Sequence, residues 1–329
     1  MARTLLSTAR SLAKRHPHAL LAAQLLAFAI FAGFVVWAVW GQVDEAGERV
    51  REASVTDFAL GCGGIAVYYL LFSVGWMWIL SAWGVRIGYG AALRAEMVSM
   101  LAKYVPGGVW TPAARVVAAR RAGITDTGLV TASILVEAGV SAVAGVIVFV
   151  VSLATVDGVD APVLPLVLFA ALVVVLLHPR LFGPTASWVV RRLGGQDVAP
   201  LRWSTLLGLL VYYSFTWVVG GGALFFLVRS VGGSPGVETI AFLGGVGAVG
   251  AIVAVLSVFA PSGLGPREAS MYGLLLAVTT PAAALGATVL NRLAITLVEV
   301  LLLVAGGLAL RGRESDEEGS VTPAPEPSQ

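Results

Sequence analysis

The sequence predicts an all-α integral membrane protein with about six full transmembrane helices, two re-entrant helical hairpins and an inverted internal repeat. Three observations carry that expectation. The chain is 58% hydrophobic and only 12% charged, with a mean hydropathy of +0.89. It contains six apolar runs long enough to cross a bilayer, and two further apolar stretches broken by proline and glycine at corresponding places. Soluble domains carry about 25% charged residues. A chain this apolar cannot cover itself with polar surface, so lipid is its main solvent.

A helix needs about 20 apolar residues to cross the hydrocarbon core. Such runs lie at 19–40, 58–81, 128–154, 161–178, 203–228 and 283–310. The first follows Arg3, Arg10, Lys14 and Arg15, as a signal peptide would. Its apolar stretch is too long for a signal sequence and no cleavage site follows, so it reads as a retained anchor. Residues 1–18 form a cytoplasmic segment, and Leu5, Ala9, Leu12 and Ala13 at helical spacing predict a short surface helix within it. The transmembrane domain extends over 19–310, with repeat halves at 58–154 and 203–310. Residues 311–329 are acidic and then Pro/Ser-rich, and are expected to be a disordered tail.

Orientation follows from lysine and arginine. With the N-terminus in the cytoplasm, sixteen of the 21 basic residues fall on inner segments; Arg49, Arg51, Arg229 and Arg267 fall outside, and Arg292 lies within a span. Both termini are then cytoplasmic, in the cytoplasmic (plasma) membrane. Trp37, Trp40, Trp83 and Trp203 near span ends suit an interfacial belt.

The two broken stretches are 91–122, interrupted at Lys103-Tyr104-Val105-Pro106-Gly107-Gly108-Val109-Trp110, and 239–280, interrupted at Ala260-Pro261-Ser262-Gly263-Leu264-Gly265-Pro266-Arg267-Glu268. Proline removes a backbone donor and glycine weakens a helix. Irregular backbone at membrane depth survives only where it is buried in protein or lines a wet cavity. Paired interruptions in two halves point to a transporter's site. Pro106 lies 31 residues before Glu137, and Pro261 lies 31 residues before Arg292. Tyr68-Tyr69 and Tyr212-Tyr213 each sit in the span that precedes an interruption. By the charge rule the first break opens from the cytoplasm and the second from outside, as an inverted repeat requires.

Glu137, Arg292 and Glu299 fall within spans, where a charge costs about 2.5–3.5 kcal/mol to insert. The equal spacing suggests that Glu137 and Arg292 pair across the repeat axis. The alternative is a purely structural role for each, and Glu299 is placed to snorkel toward the inner surface. Trp110, inside the first break, is the one tryptophan set apart from the belt.

Several chemistries lack their residues. His16, His18 and His178 form no metal-ligand set, and no phosphate-binding P-loop is present. Ser262 has no histidine beside it. A single cysteine, Cys62, reads as buried filler and rules out an internal disulfide, and a net charge of +2 is too small to suggest nucleic acid. No cofactor, no metal and no enzymatic activity are expected.

The K-Y-x-P-G-G-x-W stretch at 103–110 and the P-[SG]-G-L-G-x-R-E-A stretch at 261–269 resemble the two signatures of the lysylphosphatidylglycerol synthase membrane-domain, or flippase-like, family. The resemblance spans roughly 19–310. It implies translocation of an anionic or polyprenyl-linked lipid across the membrane, with membrane lipids and polyprenyl-phosphate-linked sugars as partners. Its motif positions here are Lys103, Tyr104, Pro106, Gly107, Trp110, Pro261, Gly263, Gly265, Arg267 and Glu268. Two departures stand out. The chain has no aminoacyltransferase stretch, so lysyl transfer is not expected. Ser262 and Pro266 occupy positions where the family more often has glycine and a residue such as valine. On this reading Lys103, Arg115 and Arg267 hold phosphate, aided by helix N-termini after each break. Two alternatives remain: a non-catalytic membrane partner of a glycosyltransferase or cell-envelope enzyme, and an intramembrane enzyme using Glu137 or Glu268 as acid or base.

Overall fold

A polar residue placed just before an apolar run starts two of the long helices. Ser54 accepts from Asp57 N at 3.3 Å and opens α2; Asp126 accepts from Leu129 N at 3.0 Å and opens α5. Glycines at positive φ follow the helix ends, at Gly84 (φ 76°) after α2, Gly123 (φ 89°) after α4 and Gly232 (φ 78°) after α7. The structure is a computed structural model that describes residues 43–102, 110–156, 163–178, 199–257, 260 and 263–318.

Those residues form ten α-helices and no strand: α1 Val43–Arg51, α2 Val55–Ala82, α3 Tyr89–Ala102, α4 Trp110–Arg121, α5 Thr127–Ser152, α6 Val163–Leu177, α7 Trp203–Ser230, α8 Ile240–Leu256, α9 Pro266–Leu275 and α10 Pro281–Glu318. Five helices are long and apolar enough to cross a membrane: Val55–Ala82, Thr127–Thr155, Trp203–Ser230, Val237–Leu256 and Pro281–Ala305. The protein is a multi-pass, all-α membrane protein.

Four of these match expected spans closely, and two expectations change. The run after 239 was expected to be a partial crossing, but a 3₁₀ turn at Val237–Thr239 extends α8 to 20 residues, enough to span. The run at 161–178 was expected to span; among the described residues α6 covers 15 of its residues, Val163–Leu177, about 22 Å at 1.5 Å per residue, against a core about 30 Å thick. Residues expected in a disordered tail begin as a continuation of α10, which runs to Glu318. The expected span at 19–40, the surface helix at 4–15 and the basic loop from 179 to 198 lie outside the described residues.

α7 is the central helix, packed against α2, α5, α8 and α10. Small residues let backbones meet, as expected where lipid supplies no hydrophobic drive between helices. A Cβ on Gly221 of α7 would lie 2.1 Å from Ile240 O, and one on Gly244 of α8 would lie 2.4 Å from Trp217 O. Outward faces remain apolar; Val289, Leu293, Leu297, Leu301 and Val304 make an exposed stripe along α10.

The packing has an internal correspondence. If α1–α5 are exchanged with α6–α10 in order, the pairs of packed helices map onto one another: α3–α4 onto α8–α9, α4–α5 onto α9–α10, α5–α7 onto α10–α2, α5–α8 onto α10–α3, and α5–α6 onto α10–α1. The exchanged helices α2 and α7 run antiparallel. Ser54 N at the start of α2 donates to Ser230 O at the end of α7 at 2.8 Å. At the other end, Trp83 Nε1 donates to Ala199 O at 2.8 Å.

Candidate functional site

The polar groups of the interior gather where the short helices meet the long ones. On α5, Ser133, Glu137 and Ser141 recur every fourth residue and share one face of an otherwise apolar helix. Trp76 Nε1 of α2 donates to Ser133 Oγ at 2.9 Å, and Trp217 Nε1 of α7 donates to Ser141 O at 2.8 Å. Glu137 lies between these anchors and is 3% exposed. Its Oε1 accepts from the Tyr213 hydroxyl at 3.1 Å, and its Oε2 is ion-paired with Arg115 Nη1.

Arg115 reaches Glu137 because α4 packs between α3 and α5. The guanidinium lies over the Trp76 ring, 4.6 Å from its centroid, and its Nη2 is ion-paired with Glu96 of α3. Arg115 and Glu96 are both buried. One guanidinium therefore serves two buried carboxylates.

The second half builds a related pair with the charges reversed. In the first half the short helix after the break supplies arginine and the following span supplies glutamate. In the second, α9 supplies Glu268 and α10 supplies Arg292, whose Nη1 lies 3.4 Å from Glu268 Oε1. Glu268 Oε2 also accepts from Gly265 N at 2.7 Å, closing the turn that starts α9. That turn needs glycine: Gly263 has φ 63° and Gly265 φ 92°, and a Cβ on Gly263 would lie 2.2 Å from Ala254 Cβ.

Between the two groups stands the tyrosine pair of α2. Tyr69 donates its hydroxyl to Glu299 Oε1 on α10, as Tyr213 of α7 does to Glu137 of α5. Tyr68 packs on Trp217 with ring centroids 5.6 Å apart, within electrostatic reach of both Glu137 and Arg267. Arg267 also acts on Tyr69. Half-buried Arg267 forms no ion pair among the described residues.

The structure corrects three expectations. Glu137 and Arg292 do not pair; each is held by the short helix after the break in its own half. Arg115 is committed to Glu96 and Glu137, so it does not present a free charge to phosphate. Glu299 does not snorkel: it is fully buried against Tyr69. Trp110 opens α4 at 50% exposure, away from the buried groups. Lys103, Tyr104, Pro106, Gly107 and Pro261 lie outside the described residues. Glu96 and the roles of Trp76, Tyr69 and Tyr213 went unforeseen. A lone carboxylate amid Ala92, Ala95, Met97 and Met100, two turns before Lys103, was the available signal for Glu96.

Among the described residues no group of His, Cys, Asp or Glu could hold a metal ion. The arrangement is a desolvated polar centre fed by both halves, with Arg267 a cation that has no ion pair among the described residues. Comparison with known families finds that the model of the lysylphosphatidylglycerol synthase TM region matches residues 24–303. No curated protein matches the chain.

Proposed function

The chain belongs to the lysylphosphatidylglycerol synthase TM-region family, and from that premise we propose that it translocates an anionic or polyprenyl-linked lipid across the cytoplasmic membrane. The family ties the chain to membrane lipid. Translocation is our reading of the polar centre.

The observation that carries it is half-buried Arg267, a cation without a carboxylate partner among the described residues and within electrostatic reach of Tyr68 and Tyr69 in an apolar bundle. A phosphate head group strongly prefers water to hydrocarbon. A guanidinium offers it charge and hydrogen bonds while acyl chains remain in lipid. On this reading the α3–α4 pair and the short helix α9 that follows α8 enter from opposite leaflets, and the bundle is an inverted repeat. The self-mapping of helix packing and the antiparallel α2 and α7 support that. Both termini are then cytoplasmic, and the protein carries lipid rather than transforming it.

Reconstitution tests the reading. Proteoliposomes should move fluorescent phosphatidylglycerol or a labelled polyprenyl phosphate between leaflets faster than empty liposomes do. A protein acting only as a membrane partner of a glycosyltransferase or cell-envelope enzyme would move neither.

A further inference from the structure

Glu96, Arg115 and Glu137 put two carboxylates on one guanidinium, all three almost fully out of contact with solvent. If both acids were ionised, the group would carry an excess negative charge in the low-dielectric interior, where an uncompensated charge is strongly disfavoured. The two carboxylates are not equivalent. Glu137 accepts from Arg115 and from the Tyr213 hydroxyl, so both of its oxygens have donors. Glu96 is ion-paired with Arg115 through Oε2, but neither of its two buried oxygens has a hydrogen-bond partner.

Among the described residues, no further cation is ion-paired with Glu96. Arg94 is two residues away on α3, a spacing at which helical side chains do not face each other, and it forms no ion pair among the described residues. Of the groups on helices packed against α3, Arg115 is shared as described, while Arg120 and Arg121 of α4 are exposed. On α2 and α10, Tyr69 is joined to Glu299, Arg292 is held by Glu268, and Tyr68 is packed among aromatic rings. Tyr89 of α3 donates to Leu70 O at 3.1 Å.

We infer that Glu96 is a proton-binding site, and that loading and release of its proton couples lipid translocation to a proton gradient. The coupling rests on the translocation reading; the proton site does not. Arg115 joins the two. It lies on the short helix after the first break and holds α3, α4 and α5 together through its two carboxylates. With Glu96 protonated the guanidinium belongs to Glu137, and the cluster is neutral. When Glu96 loses its proton, Arg115 is drawn between two anions and the contact of α4 with α5 loosens. A proton released to one side therefore changes the packing of the first broken segment. This assigns a driving force to a chain without a phosphate-binding P-loop.

Two measurements on the full-length protein test this. Infrared difference spectra of purified protein across a pH titration should show a protonated carboxyl band at neutral pH that is missing in Glu96→Gln. Glu96→Gln mimics the protonated acid, so it should fold and melt as wild type does. Proteoliposomes holding labelled phosphatidylglycerol, or labelled polyprenyl phosphate, are then given a gradient of one pH unit with the membrane potential clamped at zero. One coupled proton per lipid sustains about a tenfold enrichment between leaflets. Reversing the gradient should reverse the enrichment, and Glu96→Gln should abolish it.

Absence of the Glu96-dependent band overturns the proton site. Lipid movement by wild type that ignores the gradient, or that depends on sodium instead, overturns the coupling and leaves translocation standing. No lipid movement at all overturns translocation and coupling together, and the infrared band still decides the proton site.

Discussion

Removing Arg115 tests the architecture most severely. Arg115→Gln leaves Glu96 and Glu137 facing each other in a region where side-chain exposure is 4% or less. Breaking a buried pair by deleting one partner costs about 3–5 kcal/mol, and loss of the stacking on Trp76 adds up to about 2 kcal/mol in a desolvated setting. Arg115→Lys keeps the charge but cannot serve two carboxylates with one planar fork, so it should fall between wild type and Arg115→Gln. The informative assay is a double-mutant cycle in mixed micelles, with reversible unfolding followed by circular dichroism. Arg115→Gln with Glu137→Gln should be milder than the sum of the singles by about 1–3 kcal/mol. Glu137→Gln with Arg292→Gln should be additive, because the two residues share no partner in the structure. Additivity in the first cycle, or coupling in the second, would refute the assignment of partners.

Three further outcomes follow from the same geometry. Gly263→Ala forces a side chain into left-handed backbone and against Ala254, so it should cost more than about 1–2 kcal/mol and lower translocation while the protein still inserts, as read by folded yield and transport rate. Tyr69→Phe removes the tyrosine donor to Glu299 and Tyr213→Phe the one to Glu137; each should lower stability by about 1–3 kcal/mol, as read by denaturation midpoints. In a Cys62→Ser background, Glu48→Cys should react with an impermeant maleimide from outside intact cells and Pro200→Cys only after the membrane is opened. The converse would reverse the orientation.

The long helices were legible because apolar length is a local property. α2, α5, α7 and α10 start or end within a few residues of their expected bounds, and the breaks fall where proline and glycine cluster. α8 was not counted as a full span because its Gly-rich apolar run was read as the first arm of the stretch interrupted at 260–268. In the fold those glycines let α7 and α8 touch, with Gly221 and Gly244 at the crossing. The partner of Glu137 was not legible for a different reason. Equal spacing identifies Glu137 and Arg292 as equivalent positions, but equivalent positions in a repeat need not meet. Each meets its own half's short helix, and the direction of the pair, Arg115 to Glu137 and Glu268 to Arg292, is set by packing that no local pattern records. Glu299 looked like a residue near a span end because its partner, Tyr69, is 230 residues away in sequence. Glu96 became a site residue only when α4 delivered Arg115 to it.

The measurement that bears most directly on the account is the leaflet-to-leaflet rate of labelled phosphatidylglycerol and labelled polyprenyl phosphate in proteoliposomes, taken for wild type, Arg267→Lys and Arg267→Gln at matched folded protein. Arg267 is the cation without a carboxylate partner among the described residues, so Arg267→Gln should lose most of the transport of whichever anionic lipid wild type moves, Arg267→Lys should keep part of it, and all three should melt alike. Transport of that lipid by Arg267→Gln at the wild-type rate, or a wild-type rate no faster than that of empty liposomes for both lipids, would contradict the account.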